Sequence, residues 1–440
     1  MTSAVRHPGA WSAWLLVVLA ATLPAFSIIR SSAASTVYYV MILAVLAWLA
    51  QPSTRQVVCA DPERRHWRPL AWGAGMFLLL VVLAQAANGS LPDSGLEKTL
   101  RFAFMVPMVL VFRAIEVRKL QHVQWGVVGA ALLMGGLLIF PPVVDGTRPY
   151  TAMYSRYNAV EFGNLAMLFG VLCVFLCDWR VTRHVRIEVL IKLLAAFVAL
   201  YGFVLSATRT GWLAVPVFLL IGSVLILRRS WQARIVALVA TAGFLVIAAT
   251  LGTGLKDRVE VGVSEFAQCH EQPLTDSSIC IRMQLARAAV NLFQESPWVG
   301  VGTGERFRNS LQAQADKGAI SPFVAANYGE PHNDLLHYLA GYGVLGALGA
   351  LLFIYVLPAW YFARFFMTAP QGRRRLVAAM GLVVCLGFAA FGLTEMMFRS
   401  MVTASLYSVW VAALLALSAP DRYAAQDVRQ RTGGAGSQTA

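Results

Sequence analysis

The sequence predicts an all-α, polytopic membrane protein with about twelve transmembrane helices. Three observations lead there. Hydrophobic residues make up 58% of the chain and charged residues only 13%, whereas soluble domains run near 25% charged. The mean hydropathy is +0.63. Apolar runs of spanning length, which takes ~20 residues, recur along most of the 440 residues. The same figures exclude an aqueous enzyme, a disordered protein and a disulfide-rich secreted module.

The runs are Trp11–Ile29, Ala33–Ala50, Pro69–Ala87, Leu100–Phe112, Val123–Phe140, Ala159–Cys177, Ile187–Leu205, Gly211–Leu227, Ile235–Gly252, Leu335–Phe362, Leu376–Leu393 and Val402–Leu417. Leu100–Phe112 is the shortest. The first run contains Pro24, lacks a clear cleavage site and is followed at once by a second run. It therefore reads as a retained span rather than a signal peptide.

The charges set the orientation. With the N-terminus placed inside, the inner segments hold 21 Lys and Arg against 7 Asp and Glu, and the outer segments 14 against 15. Cationic inner loops are the rule for short connections, so both termini are expected in the cytoplasm. Lys192, within a span near its inner end, is expected to snorkel. The +14 net charge is thereby a matter of topology, and no nucleic-acid partner is implied.

One connection is long. Thr253 to Asp334 is about 80 residues on the outer side, and such loops are usually functional. The chain divides into an N-terminal membrane domain of nine spans (1–252), this loop (253–334), a C-terminal membrane domain of three spans (335–420) and a tail (421–440), partly disordered. Within the loop Arg282–Glu295 reads as an amphipathic helix with Met283, Ala286, Val290 and Phe293 on one face. Ser296 and Pro297 end it, Gly300, Gly302 and Gly304 form a turn, and Glu305–Lys317 makes a second helix. Cys269 and Cys280 both fall in the loop and are expected to form a disulfide in an oxidising compartment.

Three outer segments hold the candidate chemistry. The first, Ser206–Gly211, places Arg209 at the membrane surface, where charge alone suggests an interfacial anchor. The second runs from Arg282 through the glycine turn. Its spacing does not meet GxGxxG and no strand precedes it, so a nucleotide fingerprint is not supported; the glycines suit backbone lying close against the membrane domain. Arg282 and Arg287 open a helix, where a cation opposes the dipole, so both are read as aimed at a partner. The third segment is Pro331–Gly346. Pro331 suits a first helical turn, putting His332 at a helix N-terminus whose dipole favours the neutral imidazole that a general base needs. Glu330 and Asp334 push the other way. Asn333 and His337 share a face, and His337 is an alternative base ~7 Å deeper. Glu161 lies inside a span, a functional position by default, with an ion pair to Arg156 as the plainer reading. No ligand cluster suggests a metal or another cofactor.

Taken together these segments resemble the O-antigen ligase/polymerase superfamily. The resemblance rests on TRTG after a span, an Arg-led helix followed by PWVGVGTGERF, and PHNDLLHYLAGYGVLG leading into the next span. His332, Asn333, Gly343 and Gly346 look like the ligase signature, and the specific likeness covers roughly 206–346. It implies a GT-C-type glycosyltransferase of the bacterial inner membrane. Such an enzyme moves a preassembled O-antigen from undecaprenyl diphosphate to a sugar hydroxyl of lipid A–core on the periplasmic face. His332 would be the base, Arg209 and Arg282 would stabilise the diphosphate, and Arg156, Glu161, Arg287, Asn333 and His337 would contact substrate. A metal-independent, inverting displacement follows from that assignment.

An O-antigen polymerase or a protein O-oligosaccharyltransferase of the same superfamily would share the donor chemistry. A lipid-linked sugar transporter would show internal repeats or polar mid-span faces, and the sequence shows neither. Topology is testable directly: reporter fusions after Arg186 and after Gln312 are expected to read inside and outside respectively. The same signal at both sites would refute the orientation.

Overall fold

The structure, a computed structural model, describes residues 10–52, 62–90, 94–140, 157–206, 208–226, 231, 234–235, 254–370 and 372–420. All regular secondary structure among them is helical. Within the described residues nine helices are long and apolar enough to cross a membrane: Trp11–Ile29, Ser31–Ala50, Arg65–Ala87, Val117–Ile139, Ala159–Leu176, Val185–Leu205, Asp334–Thr368, Arg373–Gly392 and Met401–Ser418. Thr210–Ile226 is a shorter apolar helical segment. The run Leu100–Phe112 is not one helix: Phe104 separates Ser94–Ala103 from Met105–Ala114. Apart from Ile235, the run Ile235–Gly252 lies outside the described residues.

Met401–Ser418 is the centre of the bundle, with every residue from Val402 to Ser418 buried. Helices farther out present Leu43, Leu79, Leu193, Phe197 and Leu220 outward, as a lipid-facing surface requires. Contacts between helices are set by small residues, because lipid is as apolar as leucine and close approach supplies the attraction. A Cβ on Gly126 would stand 2.3 Å from the Ala21 carbonyl oxygen, and one on Gly135 2.3 Å from that of Val198.

Lys192 does not snorkel. It is fully buried, and its ammonium donates to the carbonyls of Leu176 and Trp179 and to the Glu188 carboxylate. It thus closes the C-terminal end of Ala159–Leu176, whose last carbonyls have no partner within the helix.

The long loop before Asp334 has its own small core, in which Ile281, Leu285, Leu292, Phe307, Leu311 and Val324 pack with Ala340 of the following span. Its first helix is Gly254–Glu271, and the helix read from Arg282 begins at Ser278, so Arg282 sits in the second turn and Arg287 mid-helix. The buried face is also different: Ile281, Gln284, Leu285, Ala288 and Leu292 face inward, while Val290 is 41% exposed. Gln284 explains the difference. A polar residue on the buried stripe interrupts its apolar pattern, yet its amide is used, accepting from Ser321 N and donating to Thr275 O. The helix read over Glu305–Lys317 is Glu305–Asp316, with Lys317 as its C-cap. Cys269 and Cys280 are bonded, with Cα atoms 5.3 Å apart, which ties the end of Gly254–Glu271 to the first turn of Ser278–Glu295.

This loop is sewn to the span Asp334–Thr368 through main chain. Gly343 has φ 64° and ψ −166° and interrupts the helix. Around the break Val301 N and Gly302 N donate to Ala340 O and Gly341 O, and Val344 N and Leu345 N donate to Pro297 O and Trp298 O. Gly300 meets the same stretch, its absent Cβ falling 2.4 Å from Gly341 C. The backbone groups freed by the break are thereby satisfied by the glycine turn, as burial demands.

Gly343→Ala is expected to destabilise the fold by at least about 1–3 kcal/mol, the cost of a side chain in that glycine-only region. The added carbon would also meet Trp298 C at 2.3 Å. Gly136→Ala, with nothing within 4 Å, is expected to be neutral or to gain up to ~1 kcal/mol. Thermal unfolding in detergent compares them, and equal melting of the two variants would refute the argument.

Candidate active site

The site is built where four segments end on one side of the bundle. Asn333 is the N-cap of the helix beginning at Asp334: its Oδ1 accepts from Leu336 N at 2.9 Å. His332 therefore precedes the helix instead of lying in its first turn, and Pro331 is not a helical residue. With φ 49°, His332 is the one described non-glycine residue with positive φ. Such a conformation persists only when its surroundings hold it. Here Asn333 Nδ2 donates to Leu393 O at 2.7 Å, and Asp334 accepts from Phe398 N and Tyr355 Oη. The bonds to Leu393 and from Phe398 bind the start of this helix to the turn between Arg373–Gly392 and Met401–Ser418.

That turn contributes Glu395, which the sequence reading did not single out. It is 1% exposed. Its Oε1 lies 2.9 Å from His332 Nδ1 and accepts from Asn158 Nδ2 at 3.2 Å and Met396 N at 3.2 Å. Arg282 Nη2 stands 3.9 Å from Oε2. Burial works to raise the Glu395 carboxyl, but the hydrogen bond and charge of His332, the Arg282 charge and the Asn158 amide outweigh it and hold it below its ordinary value. An ionised carboxylate only accepts, so His332 Nδ1 carries the proton of this bond, and in the neutral ring Nε2 is the nitrogen left to accept. A histidine oriented in this way can take a proton from a bound hydroxyl.

Asn158 also caps Ala159–Leu176, its Oδ1 accepting from Glu161 N at 2.7 Å. Glu161 is buried two residues inside that helix. Thr403 Oγ1 donates to its Oε1 at 2.7 Å, and its Oε2 has no hydrogen-bond partner. Arg156 lies outside the described residues. Nearby, Arg399 Nε is 3.4 Å from Glu330 Oε1, and burial raises the Glu330 carboxyl despite the charges of Arg399 and His332.

Arg209 is exposed, on a turn fixed by its neighbours. Ser206 Oγ and Thr208 Oγ1 are 2.8 Å apart, and Thr210 Oγ1 donates to Asn164 Oδ1 at 2.9 Å. The guanidinium lies against the loop helix at Gly262, whose Cβ, if present, would be 3.3 Å from Nη1. Arg287 is exposed, about 140° around the helix from Arg282. His337 packs against the rings of Phe307, Tyr338 and Tyr342, and its Nδ1 has no hydrogen-bond partner. The structure thus gathers His332, Asn333, Arg282 and, through Asn158, Glu161 around one turn; His337 and Arg287 have other surroundings. Among the described residues no group of three or more His, Cys, Asp or Glu is arranged to hold a metal.

The profile of a protein family described as O-antigen ligase matches residues 194–351. Over that stretch the chain is similar to the O-antigen ligase family. The matched stretch contains Arg209, Arg282, His332, Asn333, Gly343 and the glycine turn, and stops before Glu395. An uncharacterized protein of Haemophilus influenzae is 22% identical over 270 residues, which cover 60% of this chain and 65% of that protein. The match therefore spans a little under two thirds of that relative. The sequence signal that could have exposed Glu395 is a single acid in a short turn between two apolar runs.

A carboxyl with a lowered pKa contributes stability above its unfolded value, ~4.3 for glutamate, and loses it as pH falls through the folded value. Glu395→Gln is expected to melt lower than the wild type at pH 7, with the deficit shrinking below about pH 4. Melting curves of both proteins across pH check this. A deficit that stays constant into acid would mean that the charge is not what holds the turn.

Proposed function

We propose that this chain is an O-antigen ligase of the bacterial inner membrane. It has twelve spans, both termini in the cytoplasm and a GT-C-type architecture. The domains are the two membrane parts, 1–252 and 335–420, with the periplasmic loop between them. It transfers a polysaccharide from undecaprenyl diphosphate to a sugar hydroxyl of lipid A–core at the periplasmic face. The observation that carries this reading is the meeting of His332 Nδ1 and Arg282 on one buried carboxylate, at 2.9 and 3.9 Å. A base, the group that orients it and a cation come from three separate segments to one place.

The chemistry follows from those groups. His332 Nε2 takes the proton of the acceptor hydroxyl as its oxygen attacks the anomeric carbon. The bond from that carbon to the diphosphate oxygen breaks on the opposite face, so the configuration inverts. Glu395 stabilises the imidazolium that forms. Arg209 and Arg282 hold the departing diphosphate, since guanidinium forks match phosphate oxygens and stay charged without a metal. Asn333, Arg287, His337, Glu161 and Arg156 are the further residues proposed to contact substrate. Both substrates are lipids, so an enzyme of membrane spans can hold their tails in the bilayer and present only the reacting sugars. Similarity to the family over residues 194–351 and the polytopic helical fold support the lipid-linked donor.

Purified protein with lipid-linked glycan and lipid A–core in excess EDTA is expected to sustain transfer. His332→Ala is expected to abolish it while the protein remains folded. Arg282→Ala is expected to lose ~10²–10³ in rate, as for removal of one donor to developing charge, and Arg282→Lys less. Retained turnover in His332→Ala with loss in His337→Ala would move the base. Activity restored only by Mg²⁺ or Mn²⁺ would overturn the metal-free mechanism.

A further inference from the structure

One amide, that of Asn158, links a helix end to the contact between His332 and Glu395. Its Oδ1 accepts from Glu161 N at 2.7 Å, and its Nδ2 donates to Glu395 Oε1 at 3.2 Å. The two ends of an amide differ in what they can exchange. A backbone N–H only donates, so the end facing Glu161 is the oxygen and the end left for Glu395 is the donor. We propose that Asn158 is a positioning residue for the His332–Glu395 pair, with the helix cap fixing the amide so that it holds the carboxylate toward His332. The inference rests on the reading of His332 as the base.

Two attachments place the amide. Asn158 caps Ala159–Leu176, and in the first turn of that helix Glu161 accepts from Thr403 Oγ1 at 2.7 Å. Thr403 lies in the first turn of Met401–Ser418, just after the turn that carries Glu395. The cap and the carboxylate are thus tied to the same helix end. Three donors then meet at Glu395 Oε1: His332 Nδ1 at 2.9 Å, and Asn158 Nδ2 and Met396 N, each at 3.2 Å. The two neutral donors limit how far the carboxyl can rotate away from His332.

Burial pushes the Glu395 carboxyl up, and the Asn158 hydrogen bond joins the contacts of His332 and Arg282 that bring it below its ordinary value. Hydrogen bonds to the ionised form favour that form. The charged groups around this carboxylate are His332, Arg282 at 3.9 Å from Oε2, and the carboxyls of Glu161 and Glu330, which act on it through space. Arg399 pairs with Glu330. Replacing Asn158 alters none of these, and the pair titrates as a unit. With one fewer donor on its carboxylate, the pair binds its proton more tightly.

Serine separates this role from capping. It caps a helix about as well as asparagine, but its single oxygen, one bond shorter, is committed to the cap. The full chain in detergent is melted at pH 7 as wild type, Asn158→Ser, Asn158→Ala, Glu395→Gln and the double variant Asn158→Ser/Glu395→Gln. Asn158→Ala is expected to melt below Asn158→Ser, because it loses the cap as well. The deficit of Asn158→Ser is expected to shrink by about half or more when Glu395 is already Gln, since a bond to a charged acceptor is roughly twice as strong as a neutral one. An equal deficit in both backgrounds, or none in either, would overturn the proposal. In transfer assays Asn158→Ser is expected to lose about tenfold in kcat, the scale of one charged hydrogen bond, with KM little changed and the acid limb of the rate moved to higher pH. Wild-type kcat and pH profile in Asn158→Ser, or a change in KM alone, would overturn it. The melting comparison needs no turnover, so a wild-type protein without transfer activity would defeat the reading of His332 as the base and leave the Asn158–Glu395 coupling separately measured.

Discussion

The break at Gly343 is the constraint on which the candidate site and the long loop beside it depend. A continuous helix would use its own backbone groups and offer nothing to the loop. Interrupting it between Ala340 and Leu345 exposes two carbonyls and two amides, and the glycine turn Pro297–Gly302 pairs with all four. Unpaired backbone groups at membrane depth cost several kcal/mol each, so turn and break require one another. The helix carrying Arg282 leads directly into this turn, and the His332 segment leads directly into the broken helix. One seam therefore fixes two of the groups that meet at Glu395.

Glu395 shows why those groups have to meet. A buried carboxylate is tolerated only when paired and hydrogen-bonded. Its partners come from Asn158, His332, Arg282 and its own turn, four positions that share no sequence neighbourhood. Satisfying the acid and orienting the histidine are the same event. His332 sits at φ 49° because the carboxylate holds its ring on one side while Asn333 and Asp334 anchor the following residues to that very turn.

What could be read from the sequence divides by range. Spans are legible because hydropathy accumulates over some 20 residues. The loop before Asp334 shows by its length, and the meeting of Cys269 with Cys280 shows by spacing and compartment. His332, Arg209 and Arg282 are visible through the family likeness. Features set by tertiary contact are not. Lys192 looks like a snorkelling cation until Leu176 and Trp179 supply carbonyls for it. Gln284 disguises the buried stripe of its helix because the partners that justify a buried amide, Ser321 and Thr275, lie in other segments. Glu395 is a lone acid in the sequence and acquires meaning only when His332, 63 residues away, is folded onto it.

The same logic bears on how the two cations proposed to hold a diphosphate are placed. Arg209 and Arg282 come from separate segments, 73 positions apart in the numbering. Yet both rest on the paired helices of the long loop. Gly262 lies under the Arg209 guanidinium with Ile279 beside it, and Arg282 is one turn beyond Ile279. The Cys269–Cys280 bond joins these two helices between those points. A covalent cross-link there limits how far the helix under Arg209 can drift from the helix bearing Arg282. Stabilising charge in a transition state depends on donors already in place, since their reorganisation would offset the attraction. On that proposal the disulfide acts on the spacing of the arginines as well as on the stability of the loop.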